Sequence, residues 1–408
     1  MVAAPGNSWD IKHPKNRKRA KPMRRIVSAG LLSALTAISF GAGANAEPRI
    51  VERSGDTYHV AVCGKVVGLV ARCFAHLVTD QMGHMLFGKA TTIGGYTPSQ
   101  LRSAYKIEET GKPSTIMAIV DAYGYPNAEA DLAVYRSEFG LPPCTTANGC
   151  FKKLNQTGLE KSYPVTNSGW DVEQALDVDM ASAMCPRCTI YLIQAKTASF
   201  QNLGTAVNEA AKLGAHVISN SYGADETAAM KSFAPYYDHP GIAITVANGD
   251  DGYGVESPAD MNTVIAVGGT RLNTDDTPRG WTESVWSGSG SGCSTVFAKA
   301  AWQKKTGCSM RIVGDTAAVA DPDTGVAIYD AGWGIVGGTS VATPLVGGIF
   351  AVTDGIVNAA SSIYAHPADL YPVTTGSDGT CSPAYLCNGE VGYNAPTGLG
   401  TPRGTGAF

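Results

Sequence analysis

The chain has 408 residues, 44% hydrophobic and 16% charged, a mixture that can bury a large core and excludes a disordered or coiled-coil protein. A formal net charge of −4, with no dense basic run beyond the extreme N-terminus, excludes an extended nucleic-acid-binding surface. The 48 glycines predict many tight turns.

The N-terminus reads as an export signal. Residues 12–25 are basic, residues 26–43 are apolar and small, and Ala44-Asn45-Ala46 fits an A-x-A cleavage site. The signal is therefore expected over 1–46, with Met23 an alternative start. Ser, Thr and Gly interrupt the apolar run and argue against a stable membrane anchor, so a secreted, extracellular protein is expected. Ten cysteines fall into five close neighbours: Cys63/Cys73, Cys144/Cys150, Cys185/Cys188, Cys293/Cys308 and Cys381/Cys387. An even count in an exported chain predicts disulfides closing short loops. A zinc site at Cys185 and Cys188 is the competing reading, and it lacks a second such pair.

Residues 47–94 are weakly patterned and read as a short propeptide or N-terminal extension, with its cut expected anywhere from Leu86 to Gly95. From residue 95 to 408 no linker breaks the chain, which predicts one domain. Thr97 is placed to N-cap a helix with Pro98 at its first position, ending near Tyr105. Short apolar runs at 115–120, 189–194, 216–219, 242–247 and 264–267 predict buried strands. Helical patterns fit 171–183, 200–213 and 340–355. The expected fold is α/β, a doubly wound, mostly parallel sheet with helices on both faces and ligands at the carboxyl ends of the strands.

Three segments carry chemistry. Gly337-Gly338-Thr339-Ser340 precedes an apolar helical run, which exposes Ser340 beside backbone N–H groups and a positive helix end. That setting suits a nucleophile whose attack creates an oxyanion, and a plain helix N-cap is the bland alternative. Of the seven histidines, His13, His59, His76 and His84 lie before residue 95, and none has a setting that suits a partner base. Glu173 and Asp177 stand four residues apart on a predicted helix and share a face without a compensating cation. Asp250 follows the strand 242–247 in a glycine turn, where a parallel sheet gathers its functional groups; Asp251, before Gly252, suits an ordinary turn.

Together these segments resemble the sedolisin family, the serine-carboxyl peptidases of the subtilisin-like superfamily. The resemblance runs from about Tyr96 to Pro402. It includes Glu173 to Val178, Gly249 to Gly252, Ala266 to Thr270, Ser287 to Gly292 and the Gly-Thr-Ser-x-x-x-Pro turn at Ser340. It implies that Ser340 attacks a peptide carbonyl, Glu173 relays the proton, Asp177 hydrogen-bonds Glu173, and Asp250 helps form the oxyanion hole. It implies polypeptide substrates, a monomer, and an acidic optimum, because a carboxyl donates a hydrogen bond only while protonated. Ser219, Ser221 and Gly223, with Ser289 and Gly290 in the stretch 287–292, are expected to line the substrate groove.

The family's calcium site departs from its pattern. Pro372 and Asn394 stand where carboxylates would hold the ion, so no cofactor is expected and Cys381–Cys387 is expected to brace the loop instead. A subtilisin-like triad on Asp121 fails for want of a histidine. An inactive homologue acting as a binding protein is the other reading, and the presence of all four site residues argues against it.

Overall fold

The computed structural model describes residues 50–84, 86, 93–305, 307–355 and 360–408. The expected export signal, Met23 and most of the span expected to hold the cut lie outside the described residues. Elements are numbered here in chain order. An N-terminal group of strands, β1 (Val51–Ser54), β2 (Thr57–Ala61), β3 (Arg72–Cys73) and β4 (His76–Thr79), precedes helix α1 (Pro98–Tyr105). As expected, Thr97 precedes that helix, and its backbone N–H donates to the Gln100 side chain. Then follow β5 (Ile116–Ala122), α2 (Ala128–Glu138), β6 (Phe151–Asn155), α3 (Ser168–Met184), β7 (Thr189–Ala195), α4 (Phe200–Lys212), β8 (Val217–Asn220) and β9 (Tyr222–Asp225). The C-terminal half adds β10 (Ala243–Ala247), β11 (Glu256–Ser257), β12 (Ile265–Thr274), β13 (Trp281–Val285), β14 (Gly292–Ala298), β15 (Met310–Val313), β16 (Thr316–Val319), β17 (Val326–Tyr329), β18 (Trp333–Gly337) and α5 (Thr339–Val352).

The central sheet has the order β13-β12-β10-β8-β5-β7-β6, with β16 also paired to β12. All its pairings are parallel except that of β12 with β13. Strands β5, β8 and β10 are buried along almost their whole length, which is why they read as unbroken apolar runs. Strand β5 is central: on one side the chain runs first to the edge strand β6 and then back to β7 beside β5, and on the other side it winds outward through β8, β10 and β12. That change of direction leaves a crevice at the carboxyl ends of β5 and β8. Asp121, Ser221 and Asp250 lie at or just past the ends of β5, β8 and β10.

Helix α5 (TSVATPLVGGIFAV) is buried from Thr339 to Ala351, and it is apolar on every side because it sits between the sheet and α3. Helix α3 is buried on nearly all faces, although it carries Glu173, Asp177 and Asp179. Asn167 caps it, accepting from the backbone N–H groups of Gly169 and Trp170.

Residues 50–84 are built into the same compact unit as the rest of the chain, which runs from Glu47 to Phe408. Strands β1, β2 and β4 join β18 and β17 in a five-stranded antiparallel sheet of order β1-β2-β4-β18-β17. The weak local pattern of this segment reflects very short strands, one of which, β4, finds a partner in the distant β18. All ten cysteines form the five expected disulfides, Cys63–Cys73, Cys144–Cys150, Cys185–Cys188, Cys293–Cys308 and Cys381–Cys387. Among the described residues no helix is long and apolar enough to cross a membrane.

Candidate active site

Ser340 lies in the first turn of α5, and Gly338 ahead of it has φ 104°, a left-handed geometry suited to glycine. A methyl group on Gly338 would collide with the carbonyl oxygen of Phe74 and lie 2.7 Å from Asp250 Oδ2. The turn is thus bare so that a backbone carbonyl can lie against it. Ser340 Oγ accepts from the Phe74 N–H at 3.1 Å and is 3.2 Å from the Ser221 carbonyl, to which it donates.

Glu173 and Asp177 share the buried face of α3 and both are fully enclosed. Glu173 Oε2 accepts from the Ala75 N–H at 3.0 Å, and Asp177 Oδ1 accepts from Ser221 Oγ at 2.9 Å. Glu173 Oε1 and Asp177 Oδ2 have no hydrogen-bond partner among the described residues. The direct hydrogen bond expected between the two carboxyls is not formed: helix geometry puts them on one face, but Ser221 takes up the near oxygen of Asp177. Asp121, at the end of β5, completes a buried trio, and neither of its oxygens has a hydrogen-bond partner among the described residues.

Burial, followed by the Asp121 charge, pushes Glu173 well above the usual carboxylate range; the neighbouring Ser340 hydroxyl and the Ala75 N–H pull the other way. Burial, then Asp121 and Glu173, does the same to Asp177. Burial pushes Asp121 up to about 8. Three carboxyls in one dry pocket cannot all ionise, and protons shared among them would satisfy the partnerless oxygens.

Asp250 follows β10. Its Oδ1 accepts from both the N–H (2.9 Å) and the hydroxyl (2.6 Å) of Thr339. With Oδ1 so engaged, Oδ2 is left facing the point where the Phe74 carbonyl meets Gly338. His76 Nε2 lies 3.3 Å from that same Oδ2. None of the described histidines takes the place of the base, but His76 stands at the site, and its Nδ1 is 3.0 Å from that of His59. Nothing in Arg72-Cys73-Phe74-Ala75-His76 resembles a functional motif; the Cys63/Cys73 pair was the sole local sign of a constrained loop.

The expected groove residues divide. Gly223 lies in β9, where β3 adds to the edge as an antiparallel strand with Arg72 opposite Gly223 and Cys73 opposite Tyr222. A methyl group on Gly223 would come within 2.9 Å of the Phe74 ring, so this glycine makes room for an aromatic side chain. Ser221 faces both Ser340 and Asp177. Ser219 is enclosed in β8, and its hydroxyl has no hydrogen-bond partner among the described residues. Ser289 and Gly290 do not line the groove: Ser289 Oγ accepts from Gly269 N and donates to the Pro396 carbonyl, and Gly290 bonds to Gly249 and Asn248. They brace the turn that carries Asp250. Asp251, read as a turn residue, forms an ion pair of 2.8 Å with buried Arg72, which also reaches Glu256 at 3.3 Å.

At the position of the family's calcium loop, Asn394 Nδ2 donates to the carbonyls of Val373 (3.0 Å) and Glu390 (3.4 Å), and Oδ1 accepts from the N–H and hydroxyl of Thr397. An amide thus ties the loop, and Pro372 offers no side-chain donor atom. This set does not fit a calcium ion, which needs several oxygens free to bind it.

The fold defines the class: a subtilisin-like α/β protein, here with buried carboxyls gathered near Ser340. The Subtilase family matches residues 166–362. Kumamolisin of Bacillus sp. (strain MN-32) is 28% identical over 354 residues, covering 76% of this chain and 62% of that protein. Sedolisin of Pseudomonas sp. (strain 101) is 27% identical over 400 residues, covering 85% of this chain and 66% of that one. The chain thus spans slightly under two thirds of the length of these relatives. The solved structure of Pseudomonas sedolisin, a serine-carboxyl proteinase in complex with two molecules of pseudo-iodotyrostatin, superposes with a TM-score of 0.67 at 24% identity, covering 76% of this chain and 96% of that one. The chain thus has a subtilisin-like fold and is similar in sequence to kumamolisin and sedolisin.

Proposed function

We propose that the chain is an exported serine-carboxyl endopeptidase that works through an acyl-enzyme at Ser340. The observation that carries this reading is the convergence of Ser340, Glu173 and Asp250 on one short stretch of backbone: Ser340 Oγ meets the Phe74 N–H, Glu173 meets the Ala75 N–H, and Asp250 Oδ2 lies beside the point where the Phe74 carbonyl meets Gly338. Ser340 Oγ attacks the carbonyl carbon and its proton passes to Glu173. Asp250, whose Oδ2 lies beside the Phe74 carbonyl oxygen, takes its place in the oxyanion hole where negative charge develops. Glu173 then returns the proton to the leaving amine, and water releases the acyl group by the reverse sequence. Asp177 and Asp121 act by holding protons next to Glu173.

An acidic optimum belongs to the open form, in which water readmitted to the groove lessens the burial that raises Glu173: activity rises as Glu173 ionises and falls as the remaining carboxyl protons of the site are lost. Five disulfides support export. The amide-tied loop at Asn394 supports function without calcium. The enclosure of Ser340 and Glu173 beneath residues 72–76 supports a self-blocked form, a zymogen, rather than an inactive binding protein, which would have no need to guard its groove.

Proteolysis of a denatured protein between pH 3 and 8 tests the reading. A Phe74→Asp variant, whose side chain is unsuited to the space at Gly223, should cleave the substrate without a lag, with activity greatest at acidic pH. Adding Ser340→Ala should abolish cleavage. An optimum above about pH 8 contradicts the assignment of roles to the carboxyls.

A further inference from the structure

The five-stranded sheet brings together three groups that the peptidase chemistry does not use. Strand pairing sets Glu52 directly opposite His59 across β1 and β2. Across β2 and β4, His59 stands opposite Val78 and Ala61 opposite His76. Alternation along β4 therefore puts His76 on the same face as His59, at a diagonal position within reach of a long side chain. The three residues come from three short strands, so no sequence motif marks them.

Both rings turn the same nitrogen inward. His59 Nδ1 and His76 Nδ1 are 3.0 Å apart, and Glu52 Oε2 lies 3.9 Å from the first and 3.7 Å from the second. Donors bound to one tetrahedral zinc ion at about 2.0–2.1 Å stand about 3.3 Å from one another, so shifts of roughly half an ångström let all three share an ion. The two rings are buried, whereas the Glu52 side chain is 47% exposed and leaves the fourth position open to water. His76 is also braced from behind. Its Nε2 faces Asp250 Oδ2 at 3.3 Å, an oxygen with no hydrogen-bond partner among the described residues, and its ring packs edge-on against Trp286. An ion on Nδ1 requires the His76 proton to sit on Nε2, where that carboxyl oxygen meets it. A carboxyl behind a ligating histidine fixes both the tautomer and the ring orientation.

We propose that Glu52, His59 and His76 form a binding site for one divalent transition-metal ion of the zinc class. Two imidazoles and one carboxylate suit such an ion, whereas calcium and magnesium demand a shell of oxygens that this set does not supply. The bound ion ties β1, β2 and β4 together and fixes the ring that faces Asp250. The site is separate from the Asn394 loop, and it departs from the expectation, drawn from that loop, that the chain holds no cofactor. It stands independently of the peptidase reading.

The test titrates the chelator-stripped Ser340→Ala chain with zinc chloride near neutral pH, by calorimetry and by melting temperature. Cobalt(II) replaces zinc in a parallel titration, because its visible bands report tetrahedral ligation. A single equivalent of zinc should bind and raise the melting temperature by several degrees. Added His59→Gln should weaken binding by more than about 100-fold, and Glu52→Gln by about tenfold with a change in the cobalt bands. Glu52 is exposed, so its variant keeps the fold and decides the matter alone if His59→Gln does not fold. His84→Gln, at an exposed histidine paired with Asp80, should change nothing. No zinc binding, or binding that survives Glu52→Gln and His59→Gln undiminished, overturns the inference and leaves the two rings joined by a plain N–H···N bond. Binding lost with His84→Gln instead places the ion elsewhere and overturns it as well.

Discussion

Burying three carboxyls side by side ties stability to pH. Asp121 holds its proton up to about pH 8 when folded, against about 4 for a free side chain. Between those values the folded chain binds more protons than the unfolded one, so stability falls as pH rises, by about 1.4 kcal/mol per unit for each such carboxyl. The contribution is complete below the unfolded value and lost through the folded one. In a Ser340→Ala background, Asp121→Asn should leave the melting temperature unchanged near pH 4 and raise it near pH 8. Equal shifts at both pH values would mean that Asp121 is not a buried proton holder. At the Asn394 loop, Asn394→Asp removes the donor to the Val373 and Glu390 carbonyls and should cost about 1–3 kcal/mol, read from denaturant midpoints. A stability gain from that substitution without added calcium would contradict the amide-tie account.

At the scale of elements, the disulfide at β3 sets how firmly the groove is filled. Its loop spans a sequence separation of 10, and removing the bond with Cys63→Ser and Cys73→Ser should cost roughly 2–3 kcal/mol by loop-closure entropy. Hydrogen exchange at the Phe74 and Ala75 amides should then speed up more than exchange in β5 or β10; a uniform increase would mean that the loop is not a separate latch. The main elements were legible because strand and helix periodicities are local. The apolar run 115–120 became Ile116–Ala122, and the helical pattern 171–183 became Ser168–Met184. What was not legible was non-local. Strand β1 reads VERS and has no buried residue, so it carries no apolar signal, and β4 is recognisable only through its pairing with β18. For the same reason Ser340, Glu173, Asp177 and Asp250 could be named from motifs, whereas Phe74, Ala75 and His76 could not. Ser289 and Gly290 look like groove residues in sequence because a glycine-serine stretch suits both a substrate edge and a tight internal brace; only their bonds to Gly269, Pro396, Gly249 and Asn248 separate the two.

At the largest scale, the described residues form a subtilisin-like fold closed on its own N-terminal segment, with the sheet β1-β2-β4-β18-β17 joining that segment to the strand that leads directly into the Ser340 turn. Release of the segment would readmit water to Glu173 and Asp177 and lessen the burial that raises them. The open form should therefore ionise at lower pH than the closed one. Added calcium should leave the melting temperature of the Ser340→Ala protein unchanged, since no ion is needed at the Asn394 loop; a rise of several degrees would contradict that. The central claim is that a carboxyl, not a histidine, moves the proton. It is tested most directly by the pH–rate profile of Phe74→Asp with and without Glu173→Gln, on one peptide substrate from pH 3 to 8. The account predicts acid-peaked cleavage that falls by at least about 10²-fold in kcat with the glutamine; a Glu173→Gln protein that keeps its rate and profile would contradict it.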